Sequence, residues 1–114
     1  MKIEQYQFGE IVINSKTYTS DVIIYLDRIE SDWWRKEGHK LQVVDIVEVL
    51  EFQPEVIIIG TGASGMMSVD SEVKESARVK SIELIILPTN VAVKKFNERL
   101  HQKKKPVGCF HLTC

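Results

Sequence analysis

The sequence predicts an α/β protein: one three-layer domain over residues 1–114, with a central mixed sheet, an N-terminal antiparallel β-meander and a βαβαβ unit after it. The pattern of apolar residues is that of strands up to about residue 36, and helical spacing begins near Asp45. A chain of 114 residues, 44% of them hydrophobic and 27% charged, is long enough for one buried core and too short for two. Because strand–helix–strand connections are right-handed, the strands of the second half are expected to be parallel.

The first half is expected to form strands throughout. Residues 8–13 and 17–19 are rich in β-prone side chains, and the turn-forming segment Asn14-Ser15-Lys16 between them indicates a hairpin. Residues 21–26 follow as a third strand that is apolar enough to be buried on both faces. Short additional strands are expected between Arg28 and Lys36.

The second half is expected to alternate strands and helices. Asp45 is the predicted N-cap of a first helix, with Glu48 three residues later, and Pro54 ends the region. One face of this helix should hold Ile46, Val47 and Leu50. The later elements are a buried strand at 56–59, a helix at 71–79, a strand at 82–87, a helix capped by Thr89 and a final strand at 107–112. The buried stripe of the last helix is predicted to consist of Ala92, Val93, Phe96 and Leu100.

A glycine-rich turn, Gly60-Thr61-Gly62-Ala63-Ser64-Gly65, follows the buried strand and satisfies the dinucleotide pattern G-x-G-x-x-G. A dinucleotide site is disfavoured, because the next helix begins several residues after the third glycine. The following strand also ends without the acidic residue that would hold a ribose. The segment lacks the Gly-Lys-Ser/Thr of a P-loop. We favour a structural turn or a site for a small anion.

The anion site is the sharper hypothesis, because turns after parallel strands meet at one edge of the sheet, where ligands bind. Thr89 follows the next strand and should lie at that edge. The candidate residues are Gly60, Thr61, Gly62, Ser64, Gly65, Thr89 and His39. His39 is either an anion contact or general base or, as we favour, a histidine that packs in a turn and bonds to the backbone.

Cysteine and histidine spacing gives no support for a metal. Cys109 and His111 share a strand face, but two ligands are too few for structural zinc. We therefore expect core residues, with no metal and no cofactor. Cys109 and Cys114 point to opposite faces if they lie on one strand, which argues against a disulfide and favours a reduced, cytoplasmic protein.

Adjacent tryptophans and a lysine run are the other surface candidates. Trp33 and Trp34 should face opposite ways, one toward the core and one toward the surface. Residues 1–60 carry 6 basic and 11 acidic groups, whereas residues 61–114 carry 9 and 5. The run at 103–105 is nonetheless expected to be a solvated loop, because no aromatic side chains interleave it. We expect neither nucleic acid nor membrane as a partner.

Four segments occur in a distinctive order, and their sequences are Phe8-Gly9, Trp34-Arg35-Lys36-Glu37-Gly38-His39, Ile59-Gly60-Thr61-Gly62 and His111-Leu112-Thr113-Cys114. Together with Thr89, Ala92 and Asn97 on the last helix, they resemble the Mth-domain family over residues 8–114. The resemblance implies a three-layer fold with a central mixed sheet and no established reaction. The chain departs from the family at Ser15, where glycine is expected in the hairpin turn.

These observations favour a non-enzymatic binding or assembly module whose partner is a protein or a second copy of the chain. The alternative is a small enzyme or ligand-binding protein that uses the anion site at the turn from Gly60 to Gly65.

Overall fold

The structure, a computed structural model, describes residues 2–114, and in them ten strands and four helical segments follow one another along the chain. The strands are β1 (Ile3–Gln7), β2 (Glu10–Ile13), β3 (Lys16–Tyr18), β4 (Val22–Ile24), β5 (Ile29–Glu30), β6 (Lys40–Leu41), β7 (Val56–Thr61), β8 (Ser68–Val69), β9 (Glu83–Leu87) and β10 (Pro106–His111). The helical segments are a 3₁₀ helix (Val43–Ile46), α1 (Val47–Phe52), α2 (Ser71–Val79) and α3 (Thr89–His101).

A five-stranded mixed sheet lies at the centre, in the order β5-β4-β10-β7-β9. β10, β7 and β9 are parallel to one another, as the right-handed connections predict, and β4 and β5 pair antiparallel. β1, β2 and β3 form a separate antiparallel sheet. β4, predicted as the third strand of the meander, instead joins the central sheet beside β10. The central mixed sheet and the N-terminal meander are thus both confirmed. The boundary between them lies before β4, one strand earlier than predicted.

The central sheet separates two apolar cores, which makes the fold three-layered. Side chains alternate along β7, whose six residues are all buried. Ile57 and Ile59 pack with Val73 and other residues of the α1 and α2 side. Ile58 packs on the opposite side, with Phe96 of α3 and with side chains of the N-terminal meander. Full burial of one such side chain stabilises the fold by about 2 kcal/mol, so β7 is central to its stability.

The predictions for two helix starts are wrong, although α2 and α3 themselves are confirmed. Asp45 lies within the 3₁₀ helix, where its carboxylate accepts the backbone N–H groups of Gln42 (2.8 Å) and Lys36 (2.9 Å) instead of capping α1. Ile46 and Leu50 are buried as predicted, but the third buried residue is Val49, three residues after Ile46, and Val47 is 43% exposed. Thr89 is the first residue of α3 and not its cap, since its hydroxyl is used elsewhere.

The two tryptophans differ as predicted, with Trp33 8% exposed and Trp34 82% exposed.

The hairpin turn between β2 and β3 holds Asn14 and Ser15 at φ +50° and +66°, the left-handed region that glycine adopts at least cost. Among residues 2–114, no helix is both long and apolar enough to cross a membrane.

Candidate functional site

Strand register brings two distant polar side chains together at one end of the central sheet. Phe110 of β10 lies opposite Val22 of β4 in an antiparallel pair. The neighbouring residues, Asp21 and His111, therefore meet on the other face of the sheet. His111 Nδ1 lies 2.8 Å from Asp21 Oδ2, and the Leu112 N–H donates to Asp21 Oδ1 at 2.8 Å.

Arg35 completes this cluster from the irregular segment between β5 and β6. Its Nη2 donates to Asp21 Oδ2 at 2.7 Å, and its Nε donates to the Gly38 carbonyl at 3.1 Å. The guanidinium lies 4.7 Å from the ring of the buried Trp33, which holds it by cation–π attraction. The Arg35 side chain is only 5% exposed, so both the ion pair and the stacking act in a largely desolvated place.

Hydrogen bonds keep the Asp21 carboxylate charged. Burial alone would raise the pKa of Asp21, but the hydrogen bonds from His111, the Leu112 N–H and Arg35 outweigh it and hold the pKa below its usual value. An ionised carboxylate has no proton to give, so the short contact with His111 requires a proton on His111 Nδ1. Asp21 therefore fixes the orientation and the tautomer of the imidazole.

Two polar atoms of this cluster are buried without a hydrogen-bond partner: Arg35 Nη1 and His111 Nε2. Both residues line a cleft of about 330 Å³ that we call the Arg35 pocket. It is also lined by the rings of Trp33, Trp34 and His39, by the hydroxyl-bearing Thr19, Ser20 and Thr113, and by the carboxylates of Asp21 and Asp32. Buried polar atoms are nearly always satisfied in folded proteins, so two residues that carry unsatisfied atoms and line one cleft indicate a binding site.

The sequence-predicted anion site divides between two places. Gly60 and Thr61 end β7 beside Thr89, as predicted, but His39 lies in the Arg35 pocket, where its ring meets the His111 ring edge-on at 5.6 Å. Thr61 and Thr89 are buried, and their hydroxyls donate to the Leu87 and His111 carbonyls.

Backbone N–H groups of the turn are also used within the chain. Gly62 donates to Thr89 Oγ1 at 2.8 Å, Gly65 to the Gly62 carbonyl at 3.1 Å, and Ala63 to the Thr113 carbonyl at 2.7 Å. Ser64 lies exposed between them. The anion site at this turn stays a prediction, and a ligand there would have to compete with these hydrogen bonds.

Neither cysteine lines the Arg35 pocket. Cys109 is buried and Cys114 exposed, and both are free thiols. Burial raises the pKa of the Cys109 thiol, which keeps it protonated and unreactive. Within residues 2–114, no group of three or more His, Cys, Asp or Glu side chains is placed to hold a metal ion.

Comparison with known proteins identifies the family. A family model described as "Protein of unknown function (DUF498/DUF598)" matches residues 3–111. The chain belongs to this family. The conserved hypothetical protein PH1505 from Pyrococcus horikoshii OT3 is 34% identical, with 100% of both chains covered and a TM-score of 0.82. The solved structure named MT938 is 26% identical, covering 99% of this chain and 98% of that one, with a TM-score of 0.83.

A third solved structure confirms the resemblance to Mth-domain proteins. A Bordetella pertussis protein described as a Mth938-like domain has a TM-score of 0.65 over 97% of this chain and 85% of its own. At 14% identity it is similar in fold alone. Family and fold are thus established for this DUF498/DUF598 protein, whereas the relatives carry no named function.

Sequence reasoning missed Asp21 and Arg35 and assigned His111 to the core. A usable signal was present, since Arg35 and His111 belong to two of the four segments that carry the family resemblance. Asp21 was also the one charged residue of a strand predicted to be buried on both faces. A carboxylate in such a strand needs a hydrogen-bond or ion-pair partner, and a search for that partner would have led to Arg35 and His111.

Proposed function

We propose that this DUF498/DUF598 protein is a binding protein for a small organic anion, which it holds in the Arg35 pocket. The observation that carries the proposal is the state of Arg35. Its Nε and Nη2 are engaged by Gly38 and Asp21, whereas Nη1 is buried without a partner. A carboxylate or phosphate oxygen is the natural acceptor for that nitrogen, and a hydrogen bond to a charged group is among the strongest a protein makes.

The walls of the pocket favour a ligand with an apolar part. The exposed ring of Trp34 lies at the pocket, and Trp33 supports Arg35 from the core side. A volume of about 330 Å³ falls at the lower end of the range of small-molecule sites. An aromatic acid combines both requirements, because its ring can stack on Trp34 while its carboxylate reaches Arg35.

Titration with phenylacetate, followed by NMR, tests the proposal. We expect the resonances of Trp34 and His111 to move with phenylacetate and not with 2-phenylethanol, which has the ring without the charge. Arg35→Lys keeps the positive charge beside Asp21 but removes Nη1, so the affinity for phenylacetate should fall about tenfold or more. Arg99→Lys, at a partly exposed arginine that pairs with Glu83 outside the pocket, is the matched control and should bind as the wild type does.

A second variant tests the proposal even if Arg35→Lys does not fold. Because the Trp34 side chain is 82% exposed, Trp34→Ala should fold normally and still weaken phenylacetate binding. Unchanged resonances at saturating phenylacetate, or equal affinity in wild type and Arg35→Lys, would contradict the proposal.

A protein-binding or assembly role is the second candidate, supported by the same exposed Trp34. A protein partner or a second copy that covers this indole would be lost in Trp34→Ala, and sedimentation of wild type against Trp34→Ala tests the second copy. Both roles are proposed for the cytoplasm, on the support of the free cysteines Cys109 and Cys114.

A further inference from the structure

We infer that the ligand of the Arg35 pocket is a 2-hydroxy carboxylate: an acid with a hydroxyl on the carbon next to the carboxylate. The inference rests on the proposed function and adds a chemical class to it. Arg35 accounts for the anionic oxygen alone. The hydroxyl follows from His111, whose Nε2 is the second buried atom of this cluster without a hydrogen-bond partner.

The tautomer of His111 decides what its Nε2 can do. A neutral imidazole carries a single ring proton. The charged Asp21 carboxylate, 2.8 Å from Nδ1, holds that proton on Nδ1. Nε2 is then a bare acceptor, and a ligand satisfies it only by donating a hydrogen bond.

The pocket therefore presents a free donor and a free acceptor on two side chains that adjoin. The guanidinium and the imidazole adjoin, with Arg35 Nη2 only 3.2 Å from His111 Nδ1, because both hold the same Asp21 oxygen. A ligand that serves both must carry an anionic oxygen and, close to it, an O–H or N–H donor, and a 2-hydroxy acid is the simplest acid that does so. In a 2-hydroxy acid, the carboxylate accepts from Arg35 Nη1 and the hydroxyl donates to His111 Nε2.

A simple carboxylate fits this arrangement less well. It would satisfy Arg35 and leave His111 Nε2 buried and unpaired, which costs binding free energy. Sites that hydrogen-bond a ligand hydroxyl reject the analogue without it for the same reason. Hydrogen phosphate carries both an anionic oxygen and a donor, but it has no apolar part for the exposed ring of Trp34. These considerations favour the hydroxy acid.

Mandelate and phenylacetate differ by this one hydroxyl and form the test. By isothermal titration at neutral pH, we expect wild-type protein to bind mandelate about tenfold or more tightly than phenylacetate. His111→Asn retains an amide that can donate to Asp21 and has no acceptor at the Nε2 position, so its preference should fall to about twofold or less. His101→Asn changes an exposed histidine at the end of α3, outside the pocket, and should keep the wild-type preference for mandelate.

A measurement on the wild-type protein tests the inference even if His111→Asn does not fold. The NMR resonance of His111 Nε2 should move on addition of mandelate and stay in place with phenylacetate. Equal affinities for the two acids overturn the hydroxy-acid inference while leaving the anion site standing. Binding of neither acid overturns the proposed function itself. Tighter binding of inorganic phosphate than of mandelate, or loss of the preference for mandelate in His101→Asn, also overturns the inference.

Discussion

The end of β10 adjoins two polar regions that handle their hydrogen bonds in opposite ways. On the β7 side, residues 60–65 form the glycine-rich turn, and Thr89 Oγ1 donates to the His111 carbonyl. On the β4 side, the imidazole of the same His111 reaches Asp21 and the Arg35 pocket. One residue thus contributes its backbone to the first region and its side chain to the second.

The difference between them lies in which polar groups have partners. At the turn, N–H groups and hydroxyls bond to carbonyls and side chains of the chain itself, so these contacts stabilise the fold. In the Arg35 pocket, Arg35 Nη1 and His111 Nε2 have none, although unsatisfied buried atoms cost stability. A cost of that kind is typical of functional sites, so the pocket and not the glycine motif is the stronger site candidate.

Asp21→Asn should have the largest effect, because it leaves the 5%-exposed Arg35 guanidinium buried without a counter-charge. We expect a loss of about 4 kcal/mol in the free energy of unfolding at neutral pH, measured by urea denaturation. The pKa of Asp21 is lower in the folded protein than in the unfolded chain. The stabilisation that ionised Asp21 gives the fold is therefore complete above about pH 4, near the pKa of an aspartate in the unfolded chain. It is lost as the pH falls through the lower pKa that Asp21 has in the folded protein. The difference in the free energy of unfolding between wild type and Asp21→Asn should therefore shrink as the pH is lowered.

Glu83→Gln is the matched control for this substitution. Glu83 also pairs with an arginine, Arg99, and the hydrogen bond from Arg99 lowers its pKa, but the Glu83 side chain is 50% exposed. An exposed ion pair contributes at most about 1 kcal/mol. Equal losses in Asp21→Asn and Glu83→Gln would mean that the Arg35 cluster is no more than a surface ion pair.

The elements of the fold were more accessible from the sequence than the site was. α2 begins and ends as predicted, because Val73 and Ala77 repeat at helical spacing within nine consecutive residues. Asp21, by contrast, lies 90 residues from its partner His111, and only the pairing of β4 with β10 brings them together. Periodicity is a local signal, whereas that pairing depends on which strand inserts into the sheet.

The same limit explains the emphasis on the glycine-rich turn. Gly60, Gly62 and Gly65 form a contiguous motif that a sequence scan detects. Whether the N–H groups of this turn and of Met66 after it are free depends on Thr89 and on residues 113–114, which approach from other parts of the chain. The motif predicts a tight backbone turn, and its surroundings decide whether a ligand can reach it.

Thr89→Val should have the second largest effect and should separate the two regions. The Thr89 hydroxyl is fully buried, donates to the His111 carbonyl at 2.6 Å and accepts the Gly62 N–H at 2.8 Å. Valine keeps the shape and leaves both groups unpaired, for a loss of about 3 kcal/mol in the free energy of unfolding. Phenylacetate binding, measured on the folded fraction, should stay as in wild type.

Thr89→Ser keeps the hydroxyl and loses a methyl group, so its cost should be about 1 kcal/mol. A serine variant as unstable as the valine variant would assign the role of Thr89 to packing. A valine variant with wild-type stability would contradict the view that the turn is held by this hydroxyl.

Gly62→Ala should have the smallest of the three effects and tests how closely the turn is covered. Gly62 has φ +106°, and an added Cβ would clash with the Cys114 carbonyl carbon and lie 2.6 Å from the Thr113 carbonyl oxygen. The unusual φ and the clash together should lower the free energy of unfolding by about 2 kcal/mol. Gly38→Ala is the control, since Gly38 has no heavy atom within 4 Å of an added Cβ, and its effect should stay within about 0.5 kcal/mol.

Hydrogen exchange in Gly62→Ala locates the strain. The Met66 N–H donates to the Cys114 carbonyl at 3.0 Å, and the Ala63 N–H donates to the Thr113 carbonyl. If the new methyl group displaces residues 113–114, both N–H groups should exchange faster, while the cost in stability comes mainly from φ. Because Thr113 also lines the Arg35 pocket, such a displacement should weaken phenylacetate binding as well. Unchanged exchange at Ala63 and Met66, with stability equal to that of Gly38→Ala, would mean that this cover is loose and that the turn can admit a ligand.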